Sequence, residues 1–328
     1  MCSNMKENEP LISFIITYYN LPVEMLYECI DSILHLSLHP SEREIIVVDD
    51  GSDNSPMNEL MKYGDDIMYV RQVNGGVSVA RNTGRKIAKG DYIQLIDGDD
   101  FLLDKPYEQC VDIIRNNPNA DIVLFDFTKN AHQSSFNVGA TLITSGATFM
   151  RNHNLQGSAC CCLFRASIKG SLEFTPGICY GEDEEFTPQL LLRAETVYYT
   201  TIPAYYYREH HASAIHQKDK KNVLKRLEDN KTVILHLHQM ADHLPINDKH
   251  ALQRRVAQLT MDYLYNIIML TRSNKMLNEQ IEKLHDEGLF PLPKANYSKK
   301  YVWFRRLTKS SIGRTILLYT LPFMKQER

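Results

Sequence analysis

Gly90-Asp91-Tyr92-Ile93-Gln94-Leu95-Ile96-Asp97-Gly98-Asp99-Asp100-Phe101-Leu102-Leu103 is the stretch on which the reading of this chain turns. The mostly apolar run from Tyr92 to Ile96 predicts a buried strand, which ends abruptly in Asp97, Asp99 and Asp100, with Gly98 between the first two. At the carboxyl end of a strand in an open α/β sheet, such acids face the crevice where ligands bind. Neighbouring carboxylates repel one another and tolerate proximity best around a divalent cation, which takes oxygen ligands and holds substrate phosphates as well. The pattern points to a metal-diphosphate site, although an isolated Asp-X-Asp is explained more simply by a solvated acidic turn.

Upstream, Leu11 to Thr17 and Glu44 to Val48 are β-rich runs, the second ending in Asp49-Asp50-Gly51-Ser52-Asp53. Between them Leu26, Cys29, Ile30, Ile33 and Leu34 recur at helical spacing after Pro22. A short helix over Asn58 to Tyr63 and a strand over Ile67 to Arg71 lead to the loop Asn74-Gly75-Gly76. A helix then starts near Ser78 and ends at Lys89-Gly90, read as a C-cap glycine. Strands alternating with helices predict an α/β fold, a Rossmann-like, mainly parallel sheet flanked by helices.

Downstream, Lys105 to Arg115 reads as a helix and Asp121 to Thr128 as a strand, while Ala131 to about Gly157 shows no pattern. Ser158 to Phe164 predicts a small buried strand, and Gly181-Glu182-Asp183-Glu184-Glu185-Phe186 opens a helix. Val197 to Thr201 and Ala204 to Tyr207 read as two strands separated by Pro203. Three long helical patterns follow, Lys221 to His243, His250 to Arg272 and Leu277 to Glu287. The resulting division is a polar N-terminal segment over 1–10, the α/β domain over 11–216, a C-terminal helical region over 217–290 and a basic amphipathic tail over 291–328.

The 328 residues are 43% hydrophobic and 23% charged, enough for a sizeable core. Thirty-seven lysines and arginines against 40 acids leave a net charge of −3, so no overall field draws the chain to nucleic acid or membrane. The seven cysteines include consecutive Cys160, Cys161 and Cys162, a spacing that suits buried reduced thiols rather than disulfides or zinc. No signal peptide and no apolar run of about 18 residues is visible, so a cytoplasmic location is expected.

Five motifs occur in order: Ile15-Ile16-Thr17-Tyr18-Tyr19-Asn20, Ile46-Val47-Val48-Asp49-Asp50-Gly51-Ser52, Asn74-Gly75-Gly76-Val77-Ser78-Val79-Ala80-Arg81-Asn82, Leu95-Ile96-Asp97-Gly98-Asp99-Asp100 and Gly181-Glu182-Asp183. Each alone is weak, but together, over about residues 10 to 215, they resemble an inverting family 2 glycosyltransferase with the A-type nucleotide-sugar-binding fold. The resemblance implies transfer of a sugar from a nucleoside diphosphate donor, a UDP-sugar, to an acceptor hydroxyl, in the synthesis of cell-surface polysaccharide or glycan. It implies Asp50 as acceptor of the nucleobase N–H, Thr17 and Tyr19 as base-pocket residues, Arg81 near the nucleotide and Asp97 near the ribose. Mg²⁺ or Mn²⁺ is expected on Asp99, with Asp100 and His216 as further candidates. Asp183 matches the general base, which takes the proton of the acceptor hydroxyl.

Plainer alternatives stand beside these roles. Asp50 could form an Asx turn into Gly51, Tyr19 could cap the first helix, and Arg81 could be an exposed helix arginine. The acids around Asp183 would also suit a helix dipole. A non-catalytic nucleotide-sugar-binding or scaffold protein is the alternative function. An Asp-X-Asp phosphatase fits poorly, because that motif follows the first strand and here it follows the fourth.

The tail differs from the rest. Lys294, Lys299, Lys300, Arg305, Arg306, Lys309, Arg314, Lys325 and Arg328 face one acid, Glu327, and are interleaved with aromatic and aliphatic residues. An anionic membrane surface is therefore an expected partner, besides the donor and a saccharide or lipid-linked saccharide acceptor, with peripheral attachment at the inner face of the cell membrane. A helix docked on the protein is the alternative.

Overall fold

The computed structural model describes residues 9–130, 141–209 and 219–324. The chain divides into two compact units, Met1–Phe149 with Gly157–His211, and Met150–Gln156 with Ala212–Arg328.

In the first unit, β1 (Ile12–Tyr18), β2 (Arg43–Asp49), β3 (Met68–Arg71) and β4 (Tyr92–Asp97) are joined through α1 (Val23–Leu34), α2 (Met57–Leu60) and α3 (Val77–Ile87). They lie side by side in the order β3-β2-β1-β4, all parallel. Ile12, Phe14, Ile15 and Ile16 of β1 are all fully buried, as expected of a strand covered on both faces. Leu26, Cys29, Ile30 and Ile33 form the buried side of α1, and each large aliphatic among them stabilises the fold by roughly 2 kcal/mol. The register sets Thr17 opposite Val48 and Asp97, and Tyr18 opposite Asp49, so the carboxyl ends of β1, β2 and β4 finish level. That edge receives the motif residues.

The rest of the sheet adds antiparallel pairs to the parallel ones, while β6 and β9 again run parallel. β5 (Phe101–Leu102), α4 (Asp104–Asn116), β6 (Ile122–Thr128), β7 (Leu142–Thr144), α5 (Gly146–Asn152), β8 (Cys162–Arg165), α6 (Glu182–Leu191) and β9 (Val197–Tyr206) complete the unit, α5 running into the second. β8 inserts antiparallel between β4 and β6, and β9 carries β5 and β7 antiparallel.

Several local expectations are corrected. Pro203 does not separate two strands, because β9 is continuous and Pro203 sits opposite Asp126 at a register shift, where a missing N–H is tolerated. Gly90 is not a C-cap: α3 ends at Ile87, and Gly90 instead lets the chain pass β1, where a Cβ would lie 2.5 Å from the Ser13 nitrogen. The strand expected from Ser158 begins only at Cys162, after a 3-10 turn over Ala159–Cys161. The unpatterned stretch contains β7 and α5, while residues 131–140 lie outside the described residues.

The second unit is helical: α7 (Lys220–Ala241), α8 (Ile246–Thr271), α9 (Asn274–Asp286), α10 (Lys299–Thr308) and α11 (Ser311–Met324). α8 is its axis and touches the other four. Asp219, Ser273 and Ser298 cap α7, α9 and α10 through their side chains. Met150–Gln156 joins this unit because buried arginines of α8 hold it: Arg254 donates to the Arg151 carbonyl and to Asn154 Oδ1 at 2.9 Å, and Arg255 to the Leu155 carbonyl at 3.0 Å. Tyr301, Phe304 and Leu317 of the tail are buried. Among the described residues no helix is long and apolar enough to cross a membrane.

Candidate active site

The acidic stretch turns sharply at the end of β4. Gly98 N–H donates to the Thr17 carbonyl at 2.9 Å, and the Asp100 N–H closes a turn onto the Asp97 carbonyl at 2.9 Å. Any Cβ at Gly98 would come within 2.8 Å of that Thr17 oxygen, so the turn needs glycine. The three carboxylates consequently do different things. Asp97 Oδ1 accepts from Arg81 Nη2 at 2.9 Å and from Thr17 Oγ1 at 3.2 Å. Asp100 folds inward, where its oxygens accept from the Arg208 backbone N–H at 2.8 Å and the Tyr205 hydroxyl at 2.7 Å. Burial, with Asp97 and Asp99 nearby, pushes the Asp100 carboxyl up to about 8. Asp99 stays half-buried.

Among the described residues no group of three or more His, Cys, Asp or Glu is arranged to hold a metal ion. A half-buried strand-end carboxylate is nevertheless a hard oxygen donor of the kind that holds Mg²⁺ together with substrate phosphates. Asp99 fits that role better than the inward-folded Asp100, and His216 lies outside the described residues. Arg208 steadies the turn, donating from Nε to the Asp99 carbonyl at 2.8 Å and pairing with Glu28 of α1.

Arg81 is the centre of the site. It is not an exposed helix residue: α3 packs its polar face inward and leaves Arg81 2% exposed. Its Nη1 donates to Asp183 Oδ1 at 2.6 Å and to Glu182 Oε1 at 3.1 Å, while Nη2 reaches Asp97. The guanidinium also lies over the Phe174 ring, 5.2 Å from its centre. A planar fork with several fixed donors makes such a junction possible, and an ammonium would not. Asp183 Oδ2 accepts the Ala159 backbone N–H at 3.1 Å, which fixes the other side of the carboxylate.

The charges are unbalanced, three acids around one cation. Burial raises the Asp183 carboxyl above its ordinary value while Arg81 pulls it down; burial and Asp183 push Glu182 up to about 8. The Glu182–Asp183 pair thus holds protons more readily than free carboxyls do. Gly181, at φ 87°, turns the chain into α6, whose amino end favours these acids. Glu184 turns elsewhere, its carboxylate packing on Gly157, where a Cβ would lie 1.9 Å away.

On the β1–β2 side, Asp50 is buried and pins the glycine loop. It accepts from Gln72 Nε2 at 2.7 Å and the Gly75 N–H at 2.9 Å on Oδ1, and from the Gly76 N–H at 2.8 Å on Oδ2. A carboxylate has about four acceptor positions, so Oδ2 retains capacity for one more donor. The Asx-type turn belongs to its neighbour: Asp49 Oδ1 accepts the Ser52 N–H at 2.8 Å. Tyr19, just beyond the end of β1, is 48% exposed.

The motifs therefore meet, although sequence reasoning missed several residues that hold them. Tyr205 gave no signal, since it is one of three consecutive tyrosines and alternation from the buried Thr200, Ile202 and Ala204 would turn it outward. Gln72, Glu28 and Ala159 gave no signal, because each acts across more than 20 residues of chain. Cys160, Cys161 and Cys162 are buried, and burial pushes their thiols up.

Comparison with known proteins agrees with this architecture. Residues 13–169 match the family described as glycosyl transferase family 2. Over 125 residues the chain is 38% identical to EpsJ of Bacillus subtilis, an uncharacterized glycosyltransferase, covering 37% of this chain and 35% of that one. Over 210 residues it is 30% identical to the poly(ribitol-phosphate) beta-glucosyltransferase of Bacillus spizizenii, covering 60% and 32%. The matched part spans about a third of each of these relatives. In fold, the chain resembles S. aureus TarS 1-349 in complex with UDP-GlcNAc, with a TM-score of 0.65 and 17% identity, over 96% of this chain and 91% of that one.

Proposed function

We propose that this chain, whose residues 13–169 belong to glycosyl transferase family 2, transfers a sugar from a UDP-sugar to an acceptor hydroxyl with inversion. The observation that carries the reading is the junction at Arg81, which joins Asp97 at the end of β4 to Glu182 and Asp183 at the start of α6. It sets a carboxylate beside the strand edge where nucleotide ligands bind in such sheets.

Asp183 takes the proton of the acceptor hydroxyl as that oxygen attacks the sugar from the face opposite the diphosphate. Its raised affinity for protons suits this task, since a base works best with a pKa near the operating pH. Arg81 and the Ala159 N–H orient it. Asp50 Oδ2 accepts the nucleobase N–H, Tyr19 stacks on the base, and Thr17 with Asp97 faces the ribose. Asp99 would hold Mg²⁺ or Mn²⁺ with the donor diphosphate, and the ion supplies stabilisation of charge on the leaving group. We read the acceptor as a saccharide or lipid-linked saccharide of a cell-surface polymer; the name of the poly(ribitol-phosphate) beta-glucosyltransferase relative supports a polymer acceptor and not its chemistry.

A thermal-shift screen of UDP-, GDP- and dTDP-sugars, with and without Mn²⁺, tests the donor. UDP-sugars should raise the melting temperature most, and Tyr19→Ala, at an exposed position, should weaken donor binding by about 1–3 kcal/mol without altering the melting temperature of the free protein. Preferential stabilisation by a purine nucleotide-sugar would refute the assignment.

A further inference from the structure

We infer that the outer face of α10 and α11 is a docking surface for an anionic lipid bilayer. The structure sorts the tail into two sides. Tyr301, Phe304, Leu317 and Leu321 turn into the helical unit, whereas Trp303 (43%), Ile312 (77%), Ile316 (44%) and Tyr319 (70%) remain exposed. The last three stand at i, i+4 and i+7, one stripe along α11 that nothing in the described residues covers.

Charge identifies the occupant. Residues 294–324 contain seven cations and no acid. Arg305 is buried, and Arg314 donates to the Thr308 carbonyl at 3.0 Å, so both serve the fold. Lys294, Lys299, Lys300, Arg306 and Lys309 are exposed. On α10, Lys299, Lys300, Trp303 and Arg306 share one side by helical spacing, and Lys309 stands in the turn leading to the α11 stripe. Although Lys300 lies over the Tyr265 ring and faces Asp262 of α8, apolar and aromatic anchors interleaved with cations, in a segment with no acid of its own, match the boundary between acyl chains and anionic headgroups, where long basic side chains reach outward and aromatic rings sit at the interface. A protein partner would need its own acids arranged to fit these cations; a fluid headgroup layer needs no such arrangement. At 14 residues with Pro322 inside, α11 lies in the interface rather than spanning it, since about 20 residues are needed to span.

Flotation of the full chain with vesicles of phosphatidylcholine alone, or with 30% phosphatidylglycerol, tests this. Binding should appear only with the anionic lipid and fall as salt rises. The triple variant Lys299→Gln, Arg306→Gln, Lys309→Gln should bind roughly a hundredfold more weakly, and Ile312→Ser, Ile316→Ser, Tyr319→Ser should lose binding at any salt. All six positions are exposed, so circular dichroism should show both variants folded. Wild-type binding to neither vesicle, or binding unchanged in both variants, would overturn the inference. So would a self-association, seen by sedimentation, that the apolar variant abolishes while vesicle binding persists.

Discussion

Arg81 decides the site at the scale of a residue. Removing one partner of a buried ionic junction leaves the others uncompensated, so Arg81→Met should destabilise the fold by about 3–5 kcal/mol, measured by denaturant unfolding. Arg81→Lys keeps the charge but not the fork and should fall between the two. Glu182 adds a pH dependence. Its carboxyl is raised from the ordinary value to about 8 in the fold, so its neutral form is the stabilising one. The contribution is fully present below the unfolded value near pH 4 and is lost as pH rises through about 8. Melting temperature across that window should therefore decline less steeply in Glu182→Gln than in the wild type. An unchanged slope would show that the carboxyl is ionised throughout. Sequence identified Asp97, Asp183 and Arg81 separately as motif members. Their union was not legible, because Arg81 and Asp183 lie 102 positions apart and only the fold closes that distance.

At the scale of elements, the turn after β4 carries the next prediction. Gly98→Ala places a methyl group 2.8 Å from the Thr17 carbonyl, forcing β4 and β1 apart where their ends carry the site. A loss of about 1–3 kcal/mol is expected, with weaker donor binding beyond it. Full stability in that variant would mean the turn has slack. The parallel half of the sheet was readable because doubly covered strands are continuous apolar runs and each ends in a polar turn. β9 was misread because Pro203 ordinarily breaks strands, and only pairing with β6 shows the irregularity that admits it. β7 and α5 are short, three and seven residues, and carry too few turns of pattern to rise above their surroundings.

For the whole molecule, the sheet unit assembles every described residue assigned to donor, base and cation, and the helical unit exposes a basic, aromatic face. Sequence alone did not separate the tail's buried side from its exposed side, since both are apolar and only packing on α8 distinguishes them. If the strand edge holds the donor while Asp183 activates the acceptor, donor binding and transfer separate at Asp183. The most direct test is one comparison: donor affinity by calorimetry and transfer rate by product release, in the wild type, Asp183→Asn and Glu184→Gln. Asp183→Asn should keep donor affinity and lose about 10² to 10⁴ in rate, while Glu184→Gln, whose carboxylate packs on Gly157, stays near wild type. Wild-type turnover in Asp183→Asn, or a larger loss in Glu184→Gln, would contradict the account.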